Sequence, residues 1–194
     1  MSIVTPLNLA AGFAVGLVLF ILIFLLVSIY NAIVALLQRI DKAWANIEVA
    51  LKQRHDELPN LVAAVSGVMS FEQQVLEEVT RLRAAWSPDQ PIREQAVTSE
   101  ATSAAVRQLF AVVENYPALK SQANVQSLQA EIERLENVIS DRRELYNDSV
   151  YRYNTRIAQL PAVLIAPVFG WRLRAFFTAD PSDLNRPDVS LHAA

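Results

Sequence analysis

The chain has no cysteine, and only four glycines and two histidines among its 194 residues. Without thiols there is no disulfide framework and no zinc–thiolate site. So little glycine excludes a collagen repeat, and no glycine-rich phosphate loop is present. Neither sign of charge dominates. Seventeen basic side chains stand against 20 acidic ones, a net charge of −3, which argues against a basic nucleic-acid binder, so no nucleic-acid partner is expected. The sharpest scarcity is local. Residues 1–38 hold no Asp, Glu, Lys or Arg, so every charged side chain falls in residues 39–194. There they make up about a quarter of the residues, as in an ordinary soluble domain.

The uncharged part contains a membrane-length segment. Residues 9–27 are an unbroken run of 19 apolar or glycine residues, and a helix crossing a bilayer core needs ~20. A buried soluble helix would show a polar face, and this run has none. A secretory signal would begin basic and end at a small-residue cleavage site. Residues 1–8 carry neither Lys nor Arg, and no such site follows the run. The reading is a short tail over 1–8 and a transmembrane helix over 9–30, with Tyr30 as an interfacial aromatic. Arg39 and Lys42 follow the span, which favours a single-pass protein of the cell (cytoplasmic) membrane with its N-terminus outside. Gly12 and Gly16 form a G-x-x-x-G. Such a pair lets two helices approach and self-associate, or it is ordinary membrane-helix glycine.

The remainder reads as all-α. Ile33, Leu37, Ile40, Trp44, Ile47, Leu51, Arg54, Leu58, Leu61, Val65 and Val68 step by three and four, one face of a helix with a coiled-coil-like seam. Pro59 lies inside the pattern, yet the phase is the same on both sides. The spacing therefore predicts a kinked, continuous helix to about Met69, with a break at Leu58 as the rival. Ser70 and Gln73 fit a capping box, and Val75, Val79, Leu82 and Trp86 mark a second helix. Residues 87–91 form a loop. A third helix is predicted over about 93–115, its first half rich in Ser, Thr and Ala, until Pro117 stops it. A fourth runs from Val125 through Leu128, Ile132, Leu135, Ile139, Arg142, Tyr146, Ser149, Tyr153 and Arg156 to Leu160. The expected architecture is a transmembrane helix followed by an antiparallel four-helix bundle over 31–160. A hydrophobic, aromatic segment over 161–178 and a polar tail over 179–194 complete the chain.

Several stretches resemble the LemA family. They are Tyr30-Asn31, Asp41-Lys42-Ala43-Trp44, Lys52-Gln53-Arg54-His55-Asp56-Glu57-Leu58-Pro59-Asn60-Leu61-Val62, Tyr116-Pro117-Ala118-Leu119-Lys120, Tyr146-Asn147-Asp148 and Tyr153-Asn154. Pro161, Phe169-Gly170 and Phe176-Phe177 resemble the family's C-terminal motif, and the similarity covers about residues 29–178 in order. The resemblance implies one membrane helix, a short outer N-terminus and a helical bundle. It implies no established activity. Some members of the family are magnetosome membrane proteins and some are thought to be encoded beside a membrane metalloprotease, and neither property transfers to this chain.

Few residues suggest chemistry. A bundle di-iron site wants Glu-x-x-His pairs, but position 52, three before His55, is lysine. Neighbours such as His55, Asp56 and Glu57 do not converge on a helix. No nucleophile is marked, and Glu72, Glu77 and Glu78 read as a solvated face. No cofactor, metal or catalytic activity is expected. Arg54 and Arg142 stand out because each takes a seam position. If the first and last long helices run antiparallel, with Asn31 near Leu160, paired residue numbers add up to about 191. Arg54 then lies opposite Asn137, near Glu133 and Glu136, and Arg142 opposite Val49, beside Glu48. A buried arginine must be paired or it costs several kcal/mol. The expectation is a polar layer of Arg54, Arg142, Asp56, Asn60, Asn147 and Asn154, fixing register or acting as a switch, against arginines that snorkel from the seam's edge.

The segment over 161–178 returns to the level of Tyr30 under the same antiparallel arrangement. Trp171, Arg172, Arg174, Phe176 and Phe177 suit an interfacial segment facing anionic lipid, or the segment is a strap packed on the bundle's end. Three functional readings follow. One is a non-enzymatic, membrane-anchored scaffold or adaptor whose partners are the bilayer and a membrane or cytoplasmic protein. Another is a self-associating, membrane-shaping protein. The least favoured is a metal-binding or catalytic bundle, which would need convergent carboxylates or histidines.

Overall fold

The helix that carries the apolar run continues far beyond it. In the computed structural model, which describes residues 6–66 and 73–179, with side chains from residue 9, helix α1 runs from Pro6 to Ser66. It is followed by α2 (Gln73–Ala85), α3 (Ile92–Val113), the single turn α4 (Pro117–Lys120), α5 (Ala123–Ala158) and the single turn α6 (Ala162–Ile165). No strand occurs among the described residues. The expected tail over 1–8, the helix end at Val68 and Met69, the Ser70 cap, Glu72 and the polar tail beyond 179 lie outside the described positions or side chains.

α1 passes through Pro59 without a break. Proline has no amide hydrogen, so the carbonyl four residues earlier loses its helical partner. That carbonyl belongs to His55, and the Arg83 Nε–H of α2 donates to it at 3.3 Å. Pro117 does not simply terminate α3. It opens α4 at the first helical position, where a missing N–H costs nothing.

The chain divides into two compact units. The first comprises residues 1–40 and 151–174, the second residues 41–150 and 175–194. α1 and α5 contribute to both.

In the second unit, Leu58, Leu61 and Val65 of α1 meet Val75, Val79 and Leu82 of α2, and Val106, Leu109 and Val113 of α3. Leu119, Val125 and Ile132 close this core. α1 and α5 run antiparallel here. Trp44 packs edge-on against Tyr146 at 5.6 Å, Arg142 donates to the Asn46 carbonyl, and Arg54 bonds Glu136. The seam of α5 beyond Tyr146 is filled by Val150, with Ser149 only half-buried.

In the first unit the apolar run is uncovered. Phe13 is 75% exposed and Phe20 67%. This is the one helix among the described residues long and apolar enough to cross a membrane.

Candidate functional site

The second unit contains a buried charged site. Arg54 occupies a seam position of α1 and its side chain is 4% exposed. Its Nη1 donates to Glu136 Oε1 at 2.8 Å and to Ser103 Oγ at 2.9 Å. Its Nη2 donates to Ser99 Oγ at 3.0 Å. The Ser103 hydroxyl in turn donates to Glu136 Oε2. One guanidinium thus ties α1 to α3 and α5, and most of its donors have acceptors, the condition for tolerating a charge inside. Ser99 and Ser103 come from the Ser/Thr-rich half of α3. The signal that identifies them is phase: Gln95, Ser99, Ser103, Val106, Leu109 and Val113 are all buried and step by three and four. Polar residues continue an apolar seam at the level where Arg54 needs acceptors.

The other expected members of this layer are elsewhere. Asp56 and Asn60 are exposed, and Asn60 bonds Glu57 on its own helix. Arg142 is half-buried and finds the Asn46 carbonyl rather than Glu48. A seam-edge arginine is long enough to reach a carbonyl near water, so it needs no buried partner. Arg143, beside it, bonds Glu100 of α3 at 3.1 Å.

Asn147 and Asn154 have a different role. Each uses its amide as a two-point clamp on the backbone of the segment after α6. In the second unit, Asn147 Oδ1 accepts from the Phe177 N–H at 2.8 Å and its Nδ2 donates to the Phe177 carbonyl at 3.3 Å. Tyr146 donates its hydroxyl to the Ala175 carbonyl at 2.9 Å. Phe177 is buried and packs on Trp44 at 5.7 Å between ring centres. In the first unit, Asn154 repeats the pattern on Arg174, with both bonds at 2.9 Å. Tyr153 is buried, which raises its phenol above the usual range against the lowering effects of the Arg174 charge and a hydrogen bond to the Arg172 backbone. Phe177 is therefore not a membrane-facing side chain: it is part of the second unit's core. Phe176, beside it, is 40% exposed.

The remaining interface candidates lie in the first unit. Tyr30, at the end of the apolar run, is in ring contact with Phe169 at 5.1 Å and with Trp171 at 6.0 Å, and Phe169 stacks on Trp171 at 4.9 Å. Gly170, between them, adopts a left-handed φ of 68° that glycine accepts freely. Arg172 and Arg174 are exposed, as are Leu160, Leu164, Val168 and Leu173. Gly12 and Gly16 face open space, since a Cβ at either would meet nothing within 4 Å.

His55 sits against Trp86 at 5.0 Å between ring centres. Its Nδ1 and the Trp86 Nε1 are buried without a hydrogen-bond partner. Burial, and then the charge of Arg83, hold His55 below the usual imidazole range, with Asp56 opposing. Among the described residues no three His, Asp or Glu side chains converge as metal ligands would.

Comparison with known proteins places the chain. Over 78 residues it is 31% identical to the magnetosome proteins MamQ 1 and MamQ 2 of Paramagnetospirillum magneticum. That stretch is 40% of this chain and 29% of each relative, so the chain spans under a third of the length of the curated relatives it matches. The LemA family profile matches residues 43–191, more than half of the sequence. That span takes in the buried arginine, both asparagine clamps and the aromatic segment, and the chain belongs to the LemA family.

Proposed function

We propose that the protein is a non-enzymatic, membrane-anchored scaffold or adaptor, with residues 9–30 in the bilayer and the second unit presented to a membrane or cytoplasmic protein partner. One observation carries this reading. A single helix is apolar and exposed over residues 9–27, then supplies the buried Ile47, Leu51, Leu58 and Leu61. The candidate anchor and part of the second unit's core are thereby one element. The positive-inside rule, applied to Arg39 and Lys42, sets the second unit in the cytoplasm and the N-terminus outside. A second reading, a self-associating protein that organises membrane through Gly12 and Gly16, is favoured by the partial similarity to magnetosome proteins.

The test is photo-crosslinking of the full chain in native membranes, with the crosslinker at the exposed Glu94, Asn137 or Glu144. A reproducible partner seen from these positions and not from exposed positions on residues 9–27 supports the scaffold. Adducts of the chain with itself and with lipid only would replace it with the second reading. Extraction by alkaline carbonate would remove the anchor from both.

A further inference from the structure

The two units divide the charge of the chain unequally. The first unit contains five arginines, Arg39, Arg152, Arg156, Arg172 and Arg174, and not one Asp or Glu. The chain as a whole is net negative. Soluble surfaces ordinarily intersperse both signs, and an excess of positive charge suits an anionic neighbour. The same unit carries the exposed apolar run and the Tyr30–Phe169–Trp171 cluster at its end. Aromatics of this kind sit at headgroup level, so Arg172, next in sequence to Trp171, belongs to the same level. Asn154 fixes the backbone of Arg174 from both sides, leaving its guanidinium exposed. Leu173 between the two is 71% exposed. A guanidinium fork matches the geometry of a phosphate.

We infer that the exposed Arg172 and Arg174, beside the Tyr30–Phe169–Trp171 cluster, bind the headgroups of anionic phospholipids at the membrane face where α1 emerges. The inference rests on the anchored reading above and adds to it the lipid class that the protein selects. The bilayer is the occupant the surface fits, because basic and apolar groups alternate there beside a membrane-length helix. Neither a free anion nor an acidic protein would cover Leu160, Leu164 and Val168 as well.

The experiment uses the full chain reconstituted in phosphatidylcholine vesicles containing a minor share of phosphatidylglycerol. Spin-labelled versions of each lipid report the composition of the first lipid shell. The expected result is a preference for phosphatidylglycerol of roughly fivefold for each contacting arginine at low ionic strength. It should shrink with added salt, fall in R172Q/R174Q, be weaker in R172K/R174K than in the wild type but not lost, and resist competition by inorganic phosphate. A shell that mirrors the bulk lipid, or a preference unchanged in R172Q/R174Q, would overturn the inference. Vesicle flotation separates the two claims. A chain that floats without selecting phosphatidylglycerol loses only this inference, whereas one that does not float loses the anchor as well.

Discussion

Residues 9–27 and residues 47–65 are equal lengths of one helix, and they treat their side chains in opposite ways. In the first stretch leucines, phenylalanines and isoleucines stand exposed with no polar residue to relieve them; in the second, Ile47, Leu51, Leu58, Leu61 and Val65 are buried and the residues between them are mostly polar. A helix has one backbone geometry, so the difference lies wholly in what surrounds it. An all-round apolar surface has no cost in lipid, and a single apolar stripe is what a protein core in water requires. Burial is thus a record of surroundings: the second stretch packs on neighbouring helices, and the first keeps an exposed, all-apolar surface compatible with a membrane anchor.

Substitutions should act according to that record. The largest effect is expected for Leu61→Ala, which removes a fully buried side chain and should lower the stability of the second unit by about 2–5 kcal/mol. Leu17→Ala, half-exposed in the first stretch, should change it by no more than about 0.5 kcal/mol. Chemical denaturation in detergent measures both, and equal losses would break the comparison. Leu17→Arg should instead cost roughly 2.5–3.5 kcal/mol of membrane insertion, read as the inserted fraction in a translocation assay, with unfolding of the second unit unchanged.

A smaller effect is expected where charge enters the buried stretch. Arg54→Ala should destabilise by about 1–3 kcal/mol, because Glu136 and Ser99 lose their partner. Arg54→Leu combined with Glu136→Leu should recover most of that loss. Denaturation of the two variants decides: a double variant worse than the single one would show that the layer stabilises as well as specifies.

Asn147→Ala removes two bonds to Phe177 at the edge of the unit. The expected loss is about 1–2 kcal/mol, with faster amide exchange at Phe177 but not at Leu61.

The smallest effect belongs to His55. Its folded-state pKa is depressed, so the unfolded chain binds its proton more readily. The stability it contributes is complete above about pH 6.5, the unfolded value, and is lost as pH falls through the lower folded value. Thermal melts of wild type and His55→Asn between pH 8 and pH 5 should diverge only at the acid end, and parallel curves would discard the effect.

Much of this was legible in the residue pattern because heptad phase is a strong, repeated signal. Phase continuity across Pro59 indicates one helix, and α1 is continuous there. Summing antiparallel positions puts Arg54 opposite Asn137, and its carboxylate partner is the adjacent Glu136. What phase does not carry is the purpose of a polar residue. Ser99 and Ser103 lie in the Ser-, Thr- and Ala-rich half of the third helix, where hydrophobicity gives only a weak pattern, although they share a face with the buried Val106 and Leu109. Asn147 and Asn154 sat beside a seam and suggested a buried layer, whereas they hold a backbone segment 20 to 30 residues further on. No periodicity announces such a contact. Arg172 and Arg174 were legible as an interfacial pair from their aromatic and aliphatic neighbours, and the ring contacts of Tyr30 with Phe169 and Trp171 bring the start of that segment to the end of the apolar run.

The proline in α1 has one more consequence. An ordinary helix is self-sufficient: its interior carbonyls are spoken for before any neighbour arrives. Pro59 leaves the His55 carbonyl unspoken for, and Arg83 of α2 completes it. The two helices therefore share a hydrogen-bond ladder as well as a hydrophobic contact. Aliphatic surfaces can slide past each other by a turn at modest cost, but a lone carbonyl and a lone donor coincide in one alignment only. A single imino acid converts a greasy face into a keyed one, and so sets where along α1 its neighbour stops.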